Sequence, residues 1–448
     1  MRQGPNDRPE SYSRPPVRRR RRKTPWQRFK EAYLPLLVIL VAVVAVIALI
    51  VGGVKRAHKP KEPDQTSAST TGETTPSGGE NSAVQSLLDQ AKRLADQYDY
   101  DGALALLSSH AAEDDGIAQA VSAYETAKAG LKPWADVTKI PHISFQPLIA
   151  DAARAFDGDQ NQAYYNRNNL TISEFSAILD QIYQNGYVLV SMTDLAAPGE
   201  GGAYTAGSIY LPEGKKPLVL SEVPVHYTAA MAADGFARRL VAGSDGKPTC
   251  EYVDGAGQTL TGSYDLVPVL EDFLVQHPDF SYRGAKAVLG VAGSEGILGY
   301  SLSSETEAAA AQAAAQCLKD NGYEFASFTY AGVAYGEESA SAVEADVKKW
   351  GDIVKPVVGD TQILFYAGGS DIGDTGKYSG EKYELLSGAG FRYFCSINVS
   401  DPSWVQIEDG YVRQARRTVN GTRITTQPEL LKDLFDAAKV VSQDRPAD

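Results

Sequence analysis

Apolar residues after Pro133 gather into short runs, and these alternate with segments in which apolar positions recur every three or four residues. Short apolar runs are typical of buried strands, and the wider spacing is typical of helices that pack on one face. Seven such strands separated by helices predict an α/β fold over residues 133–443, an irregular TIM-like (β/α)7 barrel. The predicted strands are "PHISFQPL", "GYVLVSM", "KPLVLSE", "AKAVLGVAG", "YEFASFTY", "TQILFYAG" and "FRYFCSIN". The predicted helices are "TISEFSAILDQIYQ", "DLVPVLEDFLVQ", "ETEAAAAQAAAQCLKD", "SASAVEADVKKW", "KYELLSG" and "PELLKDLFDAAKVV".

Residues 227–262 interrupt this alternation after the third predicted strand. Two runs there flank turns rich in Gly and Asp, within "GSDGKPTCEYVDGAGQTLTG". We expect these residues to form a small hairpin inserted into the barrel.

The segment 83–132 has a helical pattern of its own. Its apolar residues recur at helical spacing, as at Val84, Leu87, Leu88, Ala91, Leu94 and Tyr98. A second helix is predicted from "YDYDGALALLSS" and a third over residues 117–131. The pattern is similar to one tetratricopeptide-like helix pair with a trailing helix, whereas arrays of such repeats normally need three or more units. A single pair indicates either a spacer or a docking surface for a protein partner.

The stretch Tyr33–Val54, "YLPLLVILVAVVAVIALIVGGV", contains 22 residues and no charge. At helical rise this length crosses a hydrocarbon core of roughly 30 Å, so it predicts a transmembrane helix. The run "RRRRRK" precedes it, and the heavier basic flank predicts a cytoplasmic tail over residues 1–32 and an extracellular body. The apolar run is long for a signal peptide and no convincing A-x-A site follows, which favours an uncleaved signal anchor over a cleaved peptide.

Composition changes sharply along the chain. Residues 55–82 are rich in Pro, Ser, Thr and Gly and contain almost nothing apolar, which predicts a disordered stalk. Residues 1–61 carry 15 Lys and Arg against 3 Asp and Glu, whereas residues 62–448 carry 28 Lys and Arg against 53 Asp and Glu. The net charge of the whole chain is −13. Because the acidic remainder repels polyanions, nucleic acid is not an expected partner.

Cysteine usage argues against a covalent framework. Cys250, Cys317 and Cys395 are far apart, lack a C-x-x-C arrangement and have apolar neighbours. This favours buried free thiols over a disulfide, and a Cys-based zinc site has no support.

Between Ile140 and about Arg423, a series of phrases follows a recognisable order. Through these phrases the segment resembles the polysaccharide deacetylase family of NodB-type carbohydrate esterases, in a membrane-anchored form typical of Firmicutes. The phrases are "PHISFQPLIAD", "FDGD", "LTISEFSAILDQIYQNGYVLVSMTDLA", "KPLVLS", "TCEYVD", "YDLVPVLEDFLVQHPDFSYRGAKAVLGVAGSEGILGY", "LKDNGYEFASFTY" and "WVQIEDGYVRQARR".

The resemblance implies a distorted barrel that removes acetyl groups from peptidoglycan, chitin-like or other glycans. In the family, one Asp and two His hold a divalent metal, commonly zinc, which acidifies a bound water and polarises the amide carbonyl. A second Asp acts as a base on that water, and a further His acts as an acid toward the departing amine.

The family's catalytic motifs are substituted in this chain. Where the family has Phe-Asp-Asp after the third strand, "LSEVPVHY" places Glu222, Val223 and Pro224. Where it has H-x-x-x-H, "EFASFTYAG" places Phe328 and Gly332. We therefore expect no catalytic residues and no metal cofactor, because losing the base and three ligands together should abolish the ancestral reaction.

Several residues near strand ends remain candidates for a binding cleft. Glu222 and His226 are either a substitute metal pair, a base with its partner, or ordinary loop residues. Glu222 with Asp371 or Glu295 would be a glycosidase carboxylate pair, although barrels of this length contain many acids by chance. The candidate cleft residues are Glu222, His226, Tyr330, Tyr366, Asp371 and Arg413.

Aromatic and basic residues leave further alternatives open. "RQARR", Arg413–Arg417, is either a surface strip of ion pairs or a contact to an anionic glycan. A second set of residues either stacks on sugar rings or packs in the barrel, namely Tyr330, Tyr335, Tyr366, Trp404 and Tyr411.

These patterns predict a single-pass protein of the cell membrane whose extracellular domain is polysaccharide-deacetylase-like, catalytically inactive, and binds or organises cell-wall glycan. The expected partners are cell-envelope glycan, the membrane through the N-terminal helix, and a protein at the helical segment. Two alternatives stay open. One is an active polysaccharide deacetylase with a rearranged metal site, and the other is a structural docking protein.

Overall fold

The computed structural model describes residues 80–112, 114–397 and 403–447. The predicted cytoplasmic tail (1–32), the transmembrane helix (33–54) and the stalk up to residue 79 lie outside the described residues. Within the described ranges, no helix combines the length and the apolar character that a membrane crossing requires.

Seven parallel strands close into a barrel in which each strand pairs with its neighbours along the chain. The last strand pairs with the first and completes the ring. This confirms the predicted α/β barrel. The barrel strands are β1 (His142–Phe145), β2 (Lys216–Glu222), β3 (Ala287–Val291), β4 (Glu324–Ser327), β5 (Ile363–Phe365), β6 (Tyr393–Ile397) and β7 (Tyr411–Thr418).

The ring differs from the predicted one at two strands. "GYVLVSM" does contain a strand, Tyr187–Leu189, but this strand pairs with the first residues of β2 outside the ring. Its place in the ring is taken by β7, which the sequence presents as a basic cluster. Arg and Gln fill four of the eight positions of β7, so no apolar alternation marks it as a buried strand.

Helices surround the ring. Ile172–Gln184 starts with a capping box in which Thr171 Oγ1 accepts the Glu174 N–H and Glu174 accepts the Thr171 N–H. The prediction of an α-helix over "PELLKDLFDAAKVV" is wrong. That segment contains two short 3-10 turns instead, Pro428–Leu430 and Ala437–Lys439, and its apolar side chains still pack into the core. The α-helices after residue 130 are Ala152–Ala155, Gln162–Asn168, Ile172–Gln184, Ala229–Ala233, Leu266–Gln276, Glu305–Asp320, Ala340–Ile353, Lys355–Val358, Glu381–Gly388 and Gly421–Thr426.

Residues 227–262, for which a hairpin is predicted, contain three strands instead of two. Three antiparallel strands, Ala237–Ala242, Pro248–Val253 and Thr259–Gly262, form a separate small sheet. The remaining strands form edge pairs: Lys132–Pro133 with Tyr210–Leu211, Ala196–Pro198 with Tyr204–Ala206, and Val405–Glu408 with β7.

The helical segment consists of the three predicted helices, α1 (Glu80–Asp96), α2 (Tyr100–Leu107) and α3 (Asp115–Ala129). It lies against the loop that leads into β3. Tyr98 donates its hydroxyl to the Asp279 carbonyl at 2.9 Å, and Arg283 pairs with Asp101 at 3.1 Å. Because this loop precedes β3, the helices contact the barrel at the amino-terminal end of its strands.

The C-terminal tail is fixed by a buried ion pair. Arg445 forms two hydrogen bonds to Glu174, at 2.7 and 2.6 Å, and donates to the Asn169 carbonyl at 2.8 Å. Both side chains are almost inaccessible to solvent, at 1% exposed for Arg445 and 0% for Glu174. Because Glu174 also caps its helix, this one carboxylate joins the tail, the helix start and the barrel wall.

Replacing Arg445 with alanine should lower the free energy of unfolding by about 3–5 kcal/mol, since the Glu174 carboxylate is left buried without its partner. Urea denaturation of the full chain measures the loss. Lys348→Ala is the matched control, because it removes the exposed Lys348–Asp352 pair and should change stability by less than about 1 kcal/mol. Equal losses in the two variants would contradict a special role for the buried pair.

Candidate functional site

The carboxyl ends of the barrel strands form a mouth, which is where parallel barrels place their functional residues. Val223 follows β2 and points into this mouth, and Phe365 of β5 faces it. Both side chains crowd Gly290 of β3, where an added Cβ would lie 2.6 Å from Val223 Cγ2 and 2.8 Å from Phe365 Cδ2. Phe328 packs on the same apolar cluster from the end of β4. The mouth is therefore filled by apolar side chains.

The five substituted motif positions do not converge on one point with donor atoms. Val223 and Phe328 face the mouth, but Glu222 belongs to the opposite face of β2 because side chains alternate along a strand. Gly332 has a φ of +68° and faces open space. Within the ranges that the structure describes, no three His, Cys, Asp or Glu side chains form a group that could hold a metal ion.

Glu222 is fully buried outside the barrel wall, next to Asp265, Tyr227 and Cys250. Neither of its carboxylate oxygens has a hydrogen bond of normal geometry. Burial, followed by the charge of Asp265, raises the pKa of Glu222 well above its usual range. Burial also raises the pKa of Asp265 to about 6, while backbone N–H groups of Leu148 and Leu266 donate to its Oδ1. Burial and the neighbouring carboxyl group therefore both favour the protonated form of Glu222.

His226 does not join Glu222. Its Nδ1 lies 3.4 Å from the Pro224 carbonyl oxygen, and no hydrogen bond or ion pair connects it to the Glu222 carboxyl group. Because the Glu222 side chain is 0% exposed, it forms neither a substitute metal pair with His226 nor a glycosidase pair open to a sugar. The interpretation of these residues as ordinary structural side chains is the one that fits.

A polar network that the sequence did not reveal lies inside the barrel. His142 of β1 is within 2.9 Å of Gln414 Oε1 through Nδ1 and within 2.8 Å of Ser221 Oγ through Nε2. Burial, and then the charge of Arg416, lowers the pKa of His142 to about 3, so the ring is neutral at physiological pH. In the sequence, the polar residues His142 and Ser144 alternate with apolar residues along β1. This alternation places both polar side chains on one face of the strand and could have indicated a polar barrel interior.

Two of the predicted cleft residues meet in a groove beside the mouth. Arg413 pairs with Asp371 at 2.8 Å, and its guanidinium lies 4.2 Å from the Tyr378 ring centroid and 5.1 Å from that of Trp404. Tyr366 is buried behind them and donates to the Tyr378 hydroxyl at 3.1 Å. The groove has a volume of about 540 Å³ and is lined by Gly369, Asp371, Gly373, Asp374, Thr375, Ser396, Ile397, Trp404 and Arg413.

Two arginines of "RQARR" do form ion pairs with acidic residues, but the cluster is not at the surface. Arg413, Arg416 and Arg417 are at most 3% exposed, because the strand that carries them is part of the closed ring. Because successive side chains of a strand point to opposite faces, Arg413 and Arg417 point out of the barrel and Arg416 points into it. On the outside, Arg413 pairs with Asp371 and Arg417 pairs with Asp433.

Of the aromatic residues proposed for sugar stacking, three are core residues. Tyr335, Tyr366 and Tyr411 are buried in one aromatic cluster on the outside of the barrel wall. Tyr330 is half-buried elsewhere, packed over Gly293, and its backbone N–H donates to Asp346 at 2.7 Å. The three cysteines are buried and free, as predicted.

No protein-family model matches the chain, and no curated protein matches it. Two solved structures align with it at 12% sequence identity. One is the Streptococcus pyogenes deacetylase PplD in complex with acetate, with 68% of this chain and 99% of that chain covered and a TM-score of 0.34. The other is a de-N-acetylase from Aggregatibacter actinomycetemcomitans, with 66% and 99% covered and a TM-score of 0.37. At this level of similarity the two structures assign neither a family nor an activity to the chain.

The buried carboxyl pair should make stability depend on pH. The folded-state pKa values of Glu222 and Asp265 are raised above their usual 4.5 and 3.8, so the folded chain binds more protons than the unfolded chain as pH rises above these values. The free energy of unfolding should therefore fall with increasing pH, by up to about 1.4 kcal/mol per pH unit for each proton.

Denaturant unfolding of Glu222→Gln between pH 4.5 and pH 7.5 tests this expectation. The variant cannot ionise at this position, so its stability should rise relative to that of the unsubstituted chain as the pH increases. Glu213→Gln, at an exposed position, is the control and should keep the original profile. Parallel profiles for Glu222→Gln and the unsubstituted chain would show that the pair does not carry the pH dependence.

Proposed function

We propose that the chain is a non-catalytic, polysaccharide-deacetylase-like barrel that binds cell-envelope glycan at the carboxyl-terminal face of its strands. The observation that carries this proposal is the apolar filling of the mouth. The positions that the resemblance assigns to a base and metal ligands hold Val223, Pro224, Phe328 and Gly332, and Val223 is part of the apolar core. Glu222, which stands at the position of the motif's Phe, is buried outside the ring.

The residues present do not fit the metal that the family uses. A divalent ion in a hydrolase of this type needs oxygen or nitrogen ligands and an open position for water. Val223 and Phe328 offer no such atoms and occupy the space themselves, and His142 is neutral and already bound on both ring nitrogens. No hydrolytic step can be derived from this set of side chains.

The groove beside the mouth supports the binding function. Sugar sites combine an aromatic face with a few polar groups that fix orientation. The groove supplies the half-buried ring of Trp404, and Asp374, Thr375 and Ser396 stand around it. The Arg413–Asp371 pair holds the groove wall, since Arg413 also donates to the Gly376 and Gly373 carbonyls.

We further propose that the chain is held at the outer face of the cell membrane by residues 33–54. The helical segment contacts the barrel at the amino-terminal end of its strands, through Arg283 and the Asp279 carbonyl. The groove lies at the other end, next to the ends of β5 and β6. This arrangement leaves the groove free of the helices that connect the barrel to the predicted stalk.

The purified full chain should contain less than stoichiometric divalent metal and should release no acetate from acetylated peptidoglycan or chitin oligosaccharides. Elemental analysis after incubation with zinc and an acetate-release assay measure the two quantities. Val223→Asp should not gain activity, because the positions of Phe328 and Gly332 still lack imidazoles. Bound zinc together with acetate release would instead establish an active deacetylase with a rearranged site.

Trp404→Ala should reduce co-sedimentation of the chain with insoluble peptidoglycan by roughly tenfold, as expected for the loss of one aromatic stacking face. Trp134→Ala is the matched control, because Trp134 precedes β1 at the opposite end of the barrel. Binding that is equal in both variants would place the glycan elsewhere. Absence of binding by the unsubstituted chain, together with capture of a defined protein by residues 83–132, would favour the docking alternative.

A further inference from the structure

A cavity lined by two arginines lies on the carboxyl-terminal face of the barrel, apart from the groove that contains Trp404 (the Trp404 groove). Its walls come from the segments that follow β1, β2 and β3, and its volume is about 400 Å³. The Trp404 groove adjoins β5 and β6 instead. The larger lining residues are Arg154, Arg238, Tyr227 and Thr228, and three alanines, a valine and a glycine complete the wall. Because Arg238 is exposed and Arg154 is partly exposed, the cavity is open to solvent.

Arg154 is held rigidly at the wall of this cavity. Its Nε and Nη2 donate to the Ala233 carbonyl at 3.1 and 2.6 Å, and Nη2 also donates to the Ala232 carbonyl at 2.9 Å. Its Nη1 donates to the Val253 carbonyl at 2.7 Å and to the Tyr252 hydroxyl at 3.1 Å. All five N–H donors of the guanidinium are thus bound to neutral oxygens. The contacts fix the position of the charge without neutralising it.

Arg238 reaches the cavity because the strand that carries it is irregular. Tyr252 and Glu251 are consecutive in the neighbouring strand, yet their register partners are Ala237 and Arg239. Arg238 is therefore the extra residue of a β-bulge, a feature that redirects a side chain. Its side chain forms no hydrogen bond or ion pair with any residue of the described ranges, so its donors are available to a ligand.

The described part of the chain places no Asp or Glu in the lining of this cavity. The acids that are nearest along the chain are bound elsewhere. Asp234 accepts hydrogen bonds from Asn161 at 3.0 Å and from Tyr165 at 2.8 Å, and Asp254 accepts the Gln258 N–H at 2.8 Å. A cleft lined by charge of one sign attracts counter-ions, so this cavity favours an anion.

Asp151 is the one carboxylate that approaches Arg154 through a shared partner. The Tyr252 hydroxyl donates to Asp151 at 3.3 Å and accepts from Arg154 at 3.1 Å, so the hydroxyl separates the two charges. Asp151 itself lines a neighbouring cavity. It leaves Arg238 without a partner.

We propose that Arg154 and Arg238 form a binding site for a phosphate group, carried by a sugar or free as inorganic phosphate. Arg238 supplies two parallel N–H donors to two phosphate oxygens. The Thr228 oxygen accepts the Met231 N–H at 3.2 Å, which leaves the Thr228 O–H to donate to a third oxygen. Arg154 contributes its fixed charge rather than hydrogen bonds.

The number of charges and donors favours phosphate over carboxylate. A phosphate monoester carries a charge of roughly −1.5 to −2 at neutral pH and has three strong acceptor oxygens, which match two guanidinium groups and one hydroxyl. A carboxylate has a single negative charge and two oxygens, both of which Arg238 alone would occupy. The Thr228 hydroxyl and the charge of Arg154 would then remain without a partner.

Titration calorimetry of the full chain tests the proposal with glucose 6-phosphate, inorganic phosphate, glucuronate and glucose. The measured quantity is the binding that Arg238→Met removes, which excludes any contribution from the Trp404 groove. Both phosphates should bind saturably, glucuronate should bind at least roughly tenfold more weakly, and glucose should show no such binding. Equal affinities for the two phosphates identify free phosphate as a sufficient ligand, whereas tighter binding of glucose 6-phosphate identifies a phosphorylated sugar.

Arg238→Met should weaken binding of glucose 6-phosphate by at least roughly tenfold, as expected for the loss of charge-assisted hydrogen bonds. The variant should fold normally, because the side chain is exposed and has no partner in the described ranges. Arg238→Lys should bind with intermediate affinity, since it keeps the charge and loses the two parallel donors. Arg93→Met is the matched control, because it removes the same charge from an exposed position on α1 and should leave binding unchanged.

Three results would overturn the proposal. One is the absence of saturable binding for both phosphates. Another is binding that persists in Arg238→Met, or that falls equally in Arg93→Met, since either outcome would show a response to net charge rather than to this cavity. The third is glucuronate binding as tight as that of glucose 6-phosphate, which would remove phosphate as the ligand class.

Discussion

A closed barrel leaves strand β7 no side that faces solvent, and this strand carries three arginines. Each guanidinium must find a partner within the fold or remain a buried charge. Arg413 holds the loop that carries Asp371, and Arg417 holds the C-terminal segment through Asp433. The positions of two irregular segments, and with them the wall of the Trp404 groove, thus depend on charges in a single strand.

The inside of the barrel is divided into zones of different polarity. His142, Gln414 and Ser221 form a hydrogen-bonded layer in the interior, where a neutral imidazole satisfies both ring nitrogens. The mouth is apolar around Val223 and Phe365. Among the residues that the structure describes, the side chains at the mouth fill space and present no nucleophile or ligand set, which is why binding, rather than hydrolysis, is the function proposed for this face.

The fold could be predicted from the sequence only where a strand shows itself as a run of apolar residues. Four of the seven ring strands, β2, β3, β5 and β6, contain three or more consecutive apolar residues, but β7 does not, and the strand Tyr187–Leu189 has such a run without entering the ring. The segment 428–441 has helical spacing, yet Pro428 begins only a 3-10 turn there. Pairing partners and long-range ion pairs decide these cases, and neither is encoded in local spacing.

The candidate site was predictable in position and not in detail. Val223 and Phe328 each follow the carboxyl end of a predicted strand, and this position predicts that they lie at the barrel mouth. Strand alternation alone would have turned Glu222 away from it, but the carboxyl group of Asp265 beside Glu222 comes from a residue distant in sequence. The burial of Arg413 and Arg416 could not be foreseen, because it follows from ring closure by a strand of unusual composition.

Pairing of β7 with β1 has a consequence for how the chain is made. Synthesis begins at the amino terminus, so β1 emerges long before the strand that completes the ring. During that interval one backbone edge of β1 has no β7 to pair with, and an unpaired edge of this kind is a template for association between chains. Until residues 411–418 have been added, that edge of β1 therefore stays open to pairing with strands of other chains.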